Sequence, residues 1–476
     1  MNFVFFMPDE LRAESTGCYG HPLVQTPNLD RLAAEGVRFD QCHVQHTVCS
    51  PSRAAMLTGW YPHTAGHRTL WHLLRPHQPN LLRYLKEAGY DVRWYGKNDA
   101  LAHDSLPLSA TEWGGGAPPI KGMFGRNPYA LDDPRYHSFL AEPYPHEPET
   151  QHDAALVRRG VEFLRGRPRA PFCLYLPLTG PHCPYSAPLP WHDLYDPDSL
   201  PPLRPPGEGK PDFHELIRRY RRLDQCDERL LRQIQAVYLG MTTWIDVQLG
   251  WVLDALDETG LADDTAVVFL SDHGDWAGDF GLVEKWPSGL DDTLTRVPFV
   301  WRVPGGARGH VVAEPCELFD LLPTVLELAG VEPRHTHFAR SLAPQLQGAA
   351  GDPDRCAFAD GGYDTHEPHC FEGQVHRDTF ARTREHIYYP KGRQQQDVPA
   401  SVCRCSMIRS RSHKLIRRPH GVSELYDLVA DPRELCNRHG DPALADVQRD
   451  LELRLLDRYL ATSDAVPWDE DPRGFA

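Results

Sequence analysis

Short apolar segments alternate with amphipathic stretches through roughly the first 330 residues, and this alternation restricts the fold more than any other feature of the sequence. The predicted strands are residues 3–7, 91–95, 172–178, 266–271 and 298–303. The predicted helices between them are residues 79–88, 154–164, 230–259 and 318–329. Strands that alternate with helices predict an α/β fold, with a large and mostly parallel sheet sandwiched by helices.

The pattern changes after about residue 352, where a smaller second unit is expected. Polar and apolar residues alternate over residues 404–418, a turn is predicted at Pro419-His420-Gly421, and a further strand pattern covers residues 424–429. An amphipathic helix is predicted over residues 444–460. Since 476 residues are too many for one compact core, we expect two domains. These are an α/β domain over residues 1–355 and an α+β domain, with an antiparallel sheet and a helix, over residues 356–476.

Composition and charge exclude several classes of partner. The formal net charge of −16 argues against nucleic acid, because binding to phosphates needs a basic surface. No apolar run approaches the length that crosses a bilayer, so no membrane partner is expected. The first residues lack the length and the basic start of a secretory signal, which predicts a cytoplasmic protein as given, or a periplasmic or secreted one if a leader was removed. Twelve cysteines without a C-x-x-C pair argue against structural zinc.

Polar side chains follow four of the predicted strands directly. They are Asp9-Glu10, Lys97, His182 and Asp272-His273. In open α/β sheets, ligands bind beyond the carboxyl ends of the strands. Any one of these residues is common in a loop, but together they predict a functional site at one edge of the sheet.

The carboxylates of this set suit a hard metal ion. Asp9, Glu10 and Asp272 offer oxygen ligands for calcium, magnesium or manganese, and His273 offers a nitrogen ligand or a contact to substrate. The alternative for Asp9 and Asp272 is that each only caps the turn after its strand.

A loop that runs into a short helix is predicted at residues 48–59. Pro51 and Ser52 fit the start of the helix and Gly59 fits its end. The start of a helix presents free N–H groups that favour a tetrahedral anion, and Arg53 adds a bidentate donor. From the residues alone, Cys49 is either a thiolate nucleophile activated by the helix or a buried structural cysteine.

The segment Cys49-Ser50-Pro51-Ser52-Arg53, followed by Leu57-Thr58-Gly59, resembles the C-x-P-S-R…L-T-G signature of the formylglycine-dependent (type I) sulfatases of the alkaline phosphatase superfamily. Further segments resemble that family in the expected order over nearly the whole chain. They are residues 26–33, 85–97, 181–185, 271–274 with Lys285 and 296–298, and 424–435.

The resemblance implies an enzyme that hydrolyses sulfate monoesters, with the large sheet and smaller C-terminal unit of the superfamily. It implies that a maturation enzyme converts Cys49 to formylglycine. The hydrated aldehyde of formylglycine would attack the sulfur of the substrate beside a divalent metal ion, for which calcium is the first expectation. The implied metal ligands are Asp9, Glu10, Cys49 as formylglycine, Asp272 and His273. Arg53 would support formylglycine, Lys97 and Lys285 would hold sulfate oxygens, and His182 would protonate the leaving group.

Two positions depart from the family pattern. Glu10 stands where an aspartate is usual, so direct metal ligation by this longer side chain is a hypothesis. Asp99 stands where a histidine often assists the release of sulfate. Asp99 either accepts that proton or pairs with Lys97, and the sequence favours neither.

Three alternative functions stay open at this stage. The first is a phosphonate monoester or phosphodiester hydrolase of the same superfamily. In such enzymes the second metal ligand after the first strand tends not to be aspartate, as with Glu10 here, whereas Lys97 favours a sulfate ester as substrate. The second is an inactive binding protein on a sulfatase scaffold. Such a protein is expected to have lost the nucleophile or the metal carboxylates, and the presence of Asp9, Cys49 and Asp272 argues against it. The third is a hydrolase that uses an unmodified cysteine.

The substrate is expected to be a sulfated carbohydrate or an aryl sulfate. A basic run in the C-terminal unit is a candidate rim for an acidic glycan, and a solvated loop with scattered charges explains it equally well. Its members are Arg382, Arg384, His386, Lys391 and Arg393. His72 is a further candidate for contact with substrate. Whether the protein forms a homo-oligomer stays open.

Overall fold

The computed structural model describes residues 1–114, 121–364, 366–367, 370–371, 383–467 and 473. In this part of the chain, the main sheet contains the strands β1 (Asn2–Asp9), β2 (Val37–His43), β3 (Asp91–Trp94), β4 (Glu112–Trp113), β5 (Phe172–Pro181), β6 (Thr265–Leu270), β7 (Phe299–Arg302) and β8 (His310–Glu317). Their order across the sheet is β4-β3-β5-β1-β6-β7-β2-β8. The predicted α/β sheet is confirmed.

The sheet is mostly parallel, and β7 is the exception. β1 pairs in parallel with β5 and β6, β3 with β4 and β5, and β2 with β8. β7 runs antiparallel to both β6 and β2. β1 lies near the centre, where Phe3 is opposite Cys173 on one side and Ala266 on the other. All of β1 is buried, which explains its continuous apolar sequence.

Helices cover both faces of this sheet. Up to residue 355 the described α-helices are α1 (Pro27–Glu35), α2 (Cys49–Thr58), α3 (Pro62–Ala65), α4 (Leu81–Glu87), α5 (Leu106–Ser109), α6 (His152–Arg165), α7 (Asp212–Tyr220), α8 (Glu228–Thr259), α9 (Asp292–Thr295), α10 (Leu321–Ala329) and α11 (Ala343–Leu346). Because side chains alternate along β1, Phe3 and Phe5 pack with α2, α4 and α10, whereas Val4 and Phe6 pack with α6 and α8. None of the helices described is long and apolar enough to span a bilayer.

A second, antiparallel sheet follows the large one along the chain. Its described strands are β9 (Ala357–Gly361), β10 (Cys405–Arg409), β11 (His413–Arg417) and β12 (Glu424–Asp427), in the order β12-β11-β10-β9. The helix α12 (Tyr389–Asp397) precedes β10, and α13 (Ala445–Thr462) packs Leu451 and Leu455 against Ile408, Leu415 and Leu425. The predicted small antiparallel sheet with its closing helix is therefore confirmed.

Several elements were not predicted from the sequence. The alternating run 404–418 is divided into β10 and β11 by a hairpin turn, in which the Ser410 N–H donates to the His413 carbonyl at 2.9 Å. The sequence analysis did not predict β8, which is at the edge of the sheet, or β2, which is next to it. There, partly exposed side chains such as Arg38 interrupt the apolar pattern.

Candidate active site

Four buried residues from distant parts of the chain meet beyond the carboxyl ends of the central strands. Asp9 ends β1, Cys49 begins α2, and Asp272 and His273 follow β6. One ligand atom from each of the four lies within 4.8 Å of the others. The shared edge of neighbouring parallel strands thus brings together residues more than 200 positions apart.

The helix α2 holds Cys49 at its first turn. Val48 has an extended conformation, so the helix begins at Cys49, earlier than the predicted start at Pro51 and Ser52. It ends as predicted at Gly59, whose φ of 68° suits glycine. The Ser52 hydroxyl donates to the Asp272 carbonyl at 2.5 Å, which ties the helix to the loop after β6. Burial raises the pKa of Cys49 well above that of a free thiol, and Asp9 adds to this.

Arg53 joins the two aspartates of the group. Its Nε donates to Asp272 Oδ2 at 2.7 Å, and one terminal nitrogen donates to Asp9 Oδ2 at 3.0 Å. Burial acts to raise the pKa of Asp9, but the charges of Lys97 and Arg53 outweigh it and hold this pKa well below its usual value. Asp9 is therefore a carboxylate although it is fully buried.

Lys97 reaches the same carboxylate from β3. Its ammonium donates to Asp9 Oδ2, lies 3.5 Å from Cys49 Sγ, and pairs with Asp99 at 3.0 Å. Gly96 makes this position possible, because a Cβ there would meet the Pro177 carbonyl oxygen at 2.0 Å. Both sequence hypotheses for Asp99 remain, and its contact with Lys97 is compatible with pairing.

Glu10 lies beside the group with one oxygen unpartnered. Its φ of 73° is a strained left-handed conformation for glutamate, and its N–H donates to Asp272 Oδ1 at 3.1 Å. Oε2 accepts from Lys285 Nζ at 3.0 Å, whereas Oε1 is buried without a hydrogen-bond partner among the described residues. Burial raises the pKa of Glu10 well above its usual value despite Lys285. A buried carboxylate oxygen without a partner is suited to a bound cation.

His182 faces Lys285 in a defined tautomer. Its Nδ1 is 2.5 Å from the Cys183 carbonyl oxygen, which can only accept, so Nδ1 carries the proton. Nε2 lies 2.8 Å from Lys285 Nζ and accepts from it, and is 3.4 Å from Glu10 Oε2. Burial, and then the charge of Lys285, hold the pKa of His182 well below its usual value.

The donor set fits a divalent cation with oxygen ligands. Asp9 and Asp272 supply carboxylates to the four-residue group, whereas Glu10 belongs to a second group, with His182 and Cys183, and has one oxygen without a hydrogen-bond partner. His273 donates from Nδ1 to the Gly274 carbonyl at 2.9 Å, which leaves Nε2 unprotonated as a ligand atom. That nitrogen lies 3.2 Å from Cys49 Sγ and 3.5 Å from Asp9 Oδ1.

The other predicted substrate residues lie at different places. His72 is half-buried and its Nδ1 is 2.9 Å from the Thr69 hydroxyl, while Arg384 is exposed. Lys391 is 3% exposed, and its ammonium binds Glu284 at 2.6 Å. This corrects the prediction for Lys391, because an ammonium buried against a carboxylate is not presented to a substrate. Arg382 lies outside the described residues.

Sequence reasoning missed the polar residues that surround the loop before Lys285. The Glu284 N–H donates to Tyr185 Oη and Asp275 Oδ1, both at 3.0 Å, and Tyr185 Oη donates to Asp275 at 2.9 Å. Both acids are close in sequence to predicted site residues, which is the one signal that could have identified them. All three are fully or almost fully buried.

Comparison with known proteins agrees with this geometry. A model of the family described as Sulfatase matches residues 1–331. The protein named "Multifunctional alkaline phosphatase superfamily protein PehA", from Trinickia caryophylli, is 30% identical over 96% of this chain and 93% of its own. An N-acetylglucosamine-6-O-sulfatase from Bacteroides thetaiotaomicron is 25% identical over 96% of this chain and 85% of its own.

A solved structure shares the fold over almost its full length. The phosphonate monoester hydrolase SpPMH from Silicibacter pomeroyi superposes with a TM-score of 0.75 at 25% identity, over 97% of this chain and 95% of that one. The chain belongs to the sulfatase family, within the alkaline phosphatase superfamily. It is accordingly a sulfuric ester hydrolase.

Proposed function

We propose that the protein hydrolyses a sulfate monoester, of a sulfated carbohydrate or an aryl alcohol, with a formylglycine made from Cys49 by a maturation enzyme. The observation that carries the proposal is the position of Cys49 Sγ, which is 3.5 Å from Asp9 Oδ1 and 3.2 Å from His273 Nε2 at the start of α2. The unmodified thiol is a poor candidate nucleophile, since burial disfavours the thiolate.

Asp9, Asp272 and His273 would hold the cation, and the unpartnered Oε1 of Glu10 would be a further ligand atom. Calcium is the first expectation for this cation, and magnesium or manganese are the alternatives. When bound, the cation supplies Lewis acidity and neutralises sulfate oxygens. Arg53 holds both aspartates in place through its two hydrogen bonds. The hydrated aldehyde would supply the attacking hydroxyl at the position that Cys49 Sγ marks.

Two lysines would bind the sulfate group. Lys97 and Lys285 now pair with the carboxylates of Asp9 and Glu10. Lys97 also lies within 3.5 Å of Cys49 Sγ, close to where the sulfur of the substrate must approach. Both ammonium groups are positively charged and lie in a buried site, where they would stabilise the negative charge of the sulfate group strongly.

His182 is the proposed route of the proton to the leaving group. Its Nε2 accepts from Lys285 Nζ at 2.8 Å, so a proton from this ammonium could pass to the leaving group through Nε2. A proton must be delivered when the ester oxygen leaves as an alcohol, and a positioned imidazole is the usual side chain for this step. Asp99 is a candidate acceptor of the proton that is lost when sulfate is released.

A sulfated sugar is the favoured substrate class. The relative from Bacteroides thetaiotaomicron is named for a sulfated sugar, N-acetylglucosamine 6-sulfate, and a second relative from that organism is named a delta 4,5-hexuronate-2-O-sulfatase. A surface cavity of about 840 Å³ is lined by three arginines, two tyrosines and two aspartates, of which Asp397 pairs with Arg393. The arginines and tyrosines suit an acidic glycan. They are Arg222, Arg384, Arg393, Tyr220 and Tyr389. Arg384, Tyr389 and Arg393 of this cavity belong to the C-terminal unit, which we propose contributes to the substrate rim.

A phosphonate monoester hydrolase is the second candidate function. PehA and SpPMH both cover nearly the whole chain, and the name of SpPMH states this activity. Glu10, in place of the usual aspartate, is the residue of this chain that favours the alternative. Lys97 beside Cys49 favours sulfate.

The deciding experiment co-expresses the protein with a formylglycine-generating enzyme and measures the mass of the peptide that contains residue 49. The modified protein is then assayed with p-nitrophenyl sulfate, defined sulfated mono- and disaccharides, and a phenylphosphonate monoester, with Cys49→Ala as the blank. We expect sulfate release that depends on modification. A large preference for the phosphonate would select the second candidate, and no product from any ester would refute both.

A further inference from the structure

Lys285 lies between two carboxylates and donates a hydrogen bond to only one of them. Its Nζ is 3.0 Å from Glu10 Oε2 and 2.8 Å from His182 Nε2, whereas Glu284 Oε1 is 3.7 Å away. Glu284 is the residue directly before it and is 1% exposed. Lys285 already forms a long ion pair with Glu284, so a small rotation of the lysine side chain would exchange a contact at the active site for a hydrogen bond to Glu284.

Two other cations bind Glu284 more closely than Lys285 does. Lys391 Nζ binds its Oε1 at 2.6 Å, and Arg221 binds its Oε2 at 3.0 Å. Its φ of 64° is a left-handed conformation that is uncommon for glutamate, and the N–H bonds to Tyr185 and Asp275 fix it. Each oxygen of the carboxylate thus already has a charged donor.

Lys391 reaches this place from the C-terminal part of the chain. It lies in the first turn of α12, and the preceding Tyr388 contacts Cys183 Sγ at 3.5 Å, directly after His182. One short segment, residues 388–391, therefore touches the neighbours in sequence of both Lys285 and His182. A lysine buried to 3% exposure, with its ammonium on a carboxylate, is costly to bury and is stable only when paired.

We propose that Lys391 is a positioning residue, whose ammonium neutralises Glu284 and so keeps Lys285 on Glu10 and His182. Without Lys391, Glu284 Oε1 loses its nearest cation in a buried region of low dielectric. Lys285, 3.7 Å away, then moves to it and leaves the sulfate position. The inference rests on the proposed function only for the role of Lys285 in turnover; the geometric claim is independent of it.

The test is a double-mutant cycle. Lys391→Met should lower kcat/KM for the best sulfate ester by about 10²-fold, the cost expected when a catalytic group is displaced by about 1 Å. The double variant Lys391→Met/Glu284→Gln lacks both the buried cation and the carboxylate that would compete for Lys285. Its kcat/KM should therefore recover to within about tenfold of the wild-type value. A residue that only supports the fold would show no such recovery.

A matched control and a second variant keep the test decisive. Lys414 is also fully buried and binds Asp292 and Glu434, but it contacts no predicted site residue in the described structure. Lys414→Met should lower the melting temperature without changing kcat/KM of the folded protein. If Lys391→Met is too unstable to purify, Lys391→Gln, which can donate to Glu284 without a charge, should show the same loss and recovery.

A crystal structure of the Lys391 variant gives a result that needs no activity. We expect Lys285 Nζ within hydrogen-bond distance of Glu284 Oε1 and away from His182 Nε2. Lys285 left in place, or a double variant no more active than the single one, would overturn the inference. An inactive wild type would instead refute the proposed function, and the crystal structure would still decide the position of Lys285.

Discussion

Arg53 and Asp272, 219 residues apart in sequence, are joined by a hydrogen bond of 2.7 Å between Nε and Oδ2, and both side chains are almost completely buried. The second arm of the same guanidinium binds Asp9 at 3.0 Å. Arg53 therefore sets the separation between two carboxylates that approach from different strands. A planar group with several fixed donors suits this geometry, and a single ammonium does not.

Replacement of Arg53 by lysine should separate geometry from charge. We expect Arg53→Lys to lower kcat/KM by about 10²-fold, because an ammonium lacks the fixed planar fork of donors that spans Asp9 and Asp272. Steady-state kinetics on protein with a verified modification at residue 49 measures this. Arg458→Lys is the control, since Arg458 is equally buried against Asp360 away from the site and should change stability only. Equal kcat/KM for wild type and Arg53→Lys would contradict the assigned role.

Metal removal should destabilise the fold as well as stop turnover. Without a cation, the buried carboxylates of Asp9, Glu10 and Asp272 lose a counter-charge. A chelator should lower the melting temperature, and calcium should restore it; a cation at a hundred times its Kd stabilises by about 2.7 kcal/mol. In Asp272→Asn the calcium response should be weak or lost. A melting temperature that changes with neither chelator nor calcium would contradict the proposed cation site.

The positions of the main site residues follow from the sequence because parallel strands share an edge. Once residues 2–9, 172–181 and 265–270 are strands, Asp9, His182 and Asp272 have to lie near one another. The start of α2 adds Cys49, since its Pro-Ser-Arg sequence and Gly59 mark a short helix.

Contacts between side chains of distant loops could not be predicted in the same way. The basic residues near Lys391 suggest a solvated rim in sequence, yet α12 places this lysine against Glu284. The pairing of Glu10 with Lys285 likewise depends on a left-handed backbone at Glu10, which no sequence pattern indicates. Such positions are fixed by tertiary packing rather than by local preference.

His182 should matter most for substrates with poor leaving groups. His182→Ala should slow hydrolysis of a sugar sulfate by roughly 10²- to 10⁴-fold, because an alcohol must be protonated as it leaves. The loss should be much smaller for p-nitrophenyl sulfate, whose phenolate leaves without a proton. Rates for a series of aryl and alkyl sulfates measure this. His192→Ala, a buried histidine whose Nε2 contacts the Ala141 carbonyl, is the control. Equal losses across the series would assign His182 another role.

Asp360 should make the stability of the C-terminal unit dependent on pH. Both of its oxygens are 2.9 Å from Arg458, and although burial acts to raise its pKa, Arg458 and His63 hold that pKa below its usual value. Because the pKa of Asp360 is lower in the folded protein than in the unfolded chain, its ionisation stabilises the fold at pH values above the unfolded pKa of about 3.9. This stabilisation is lost as the pH falls below that value. Asp360→Asn should cost about 3–5 kcal/mol at pH 7, and urea unfolding from pH 7 to pH 3 should show this deficit shrinking below about pH 4. Glu142→Gln, at an exposed pair with Arg126, should leave the unfolding midpoint unchanged. A deficit that stays constant with pH would contradict a buried carboxylate at Asp360.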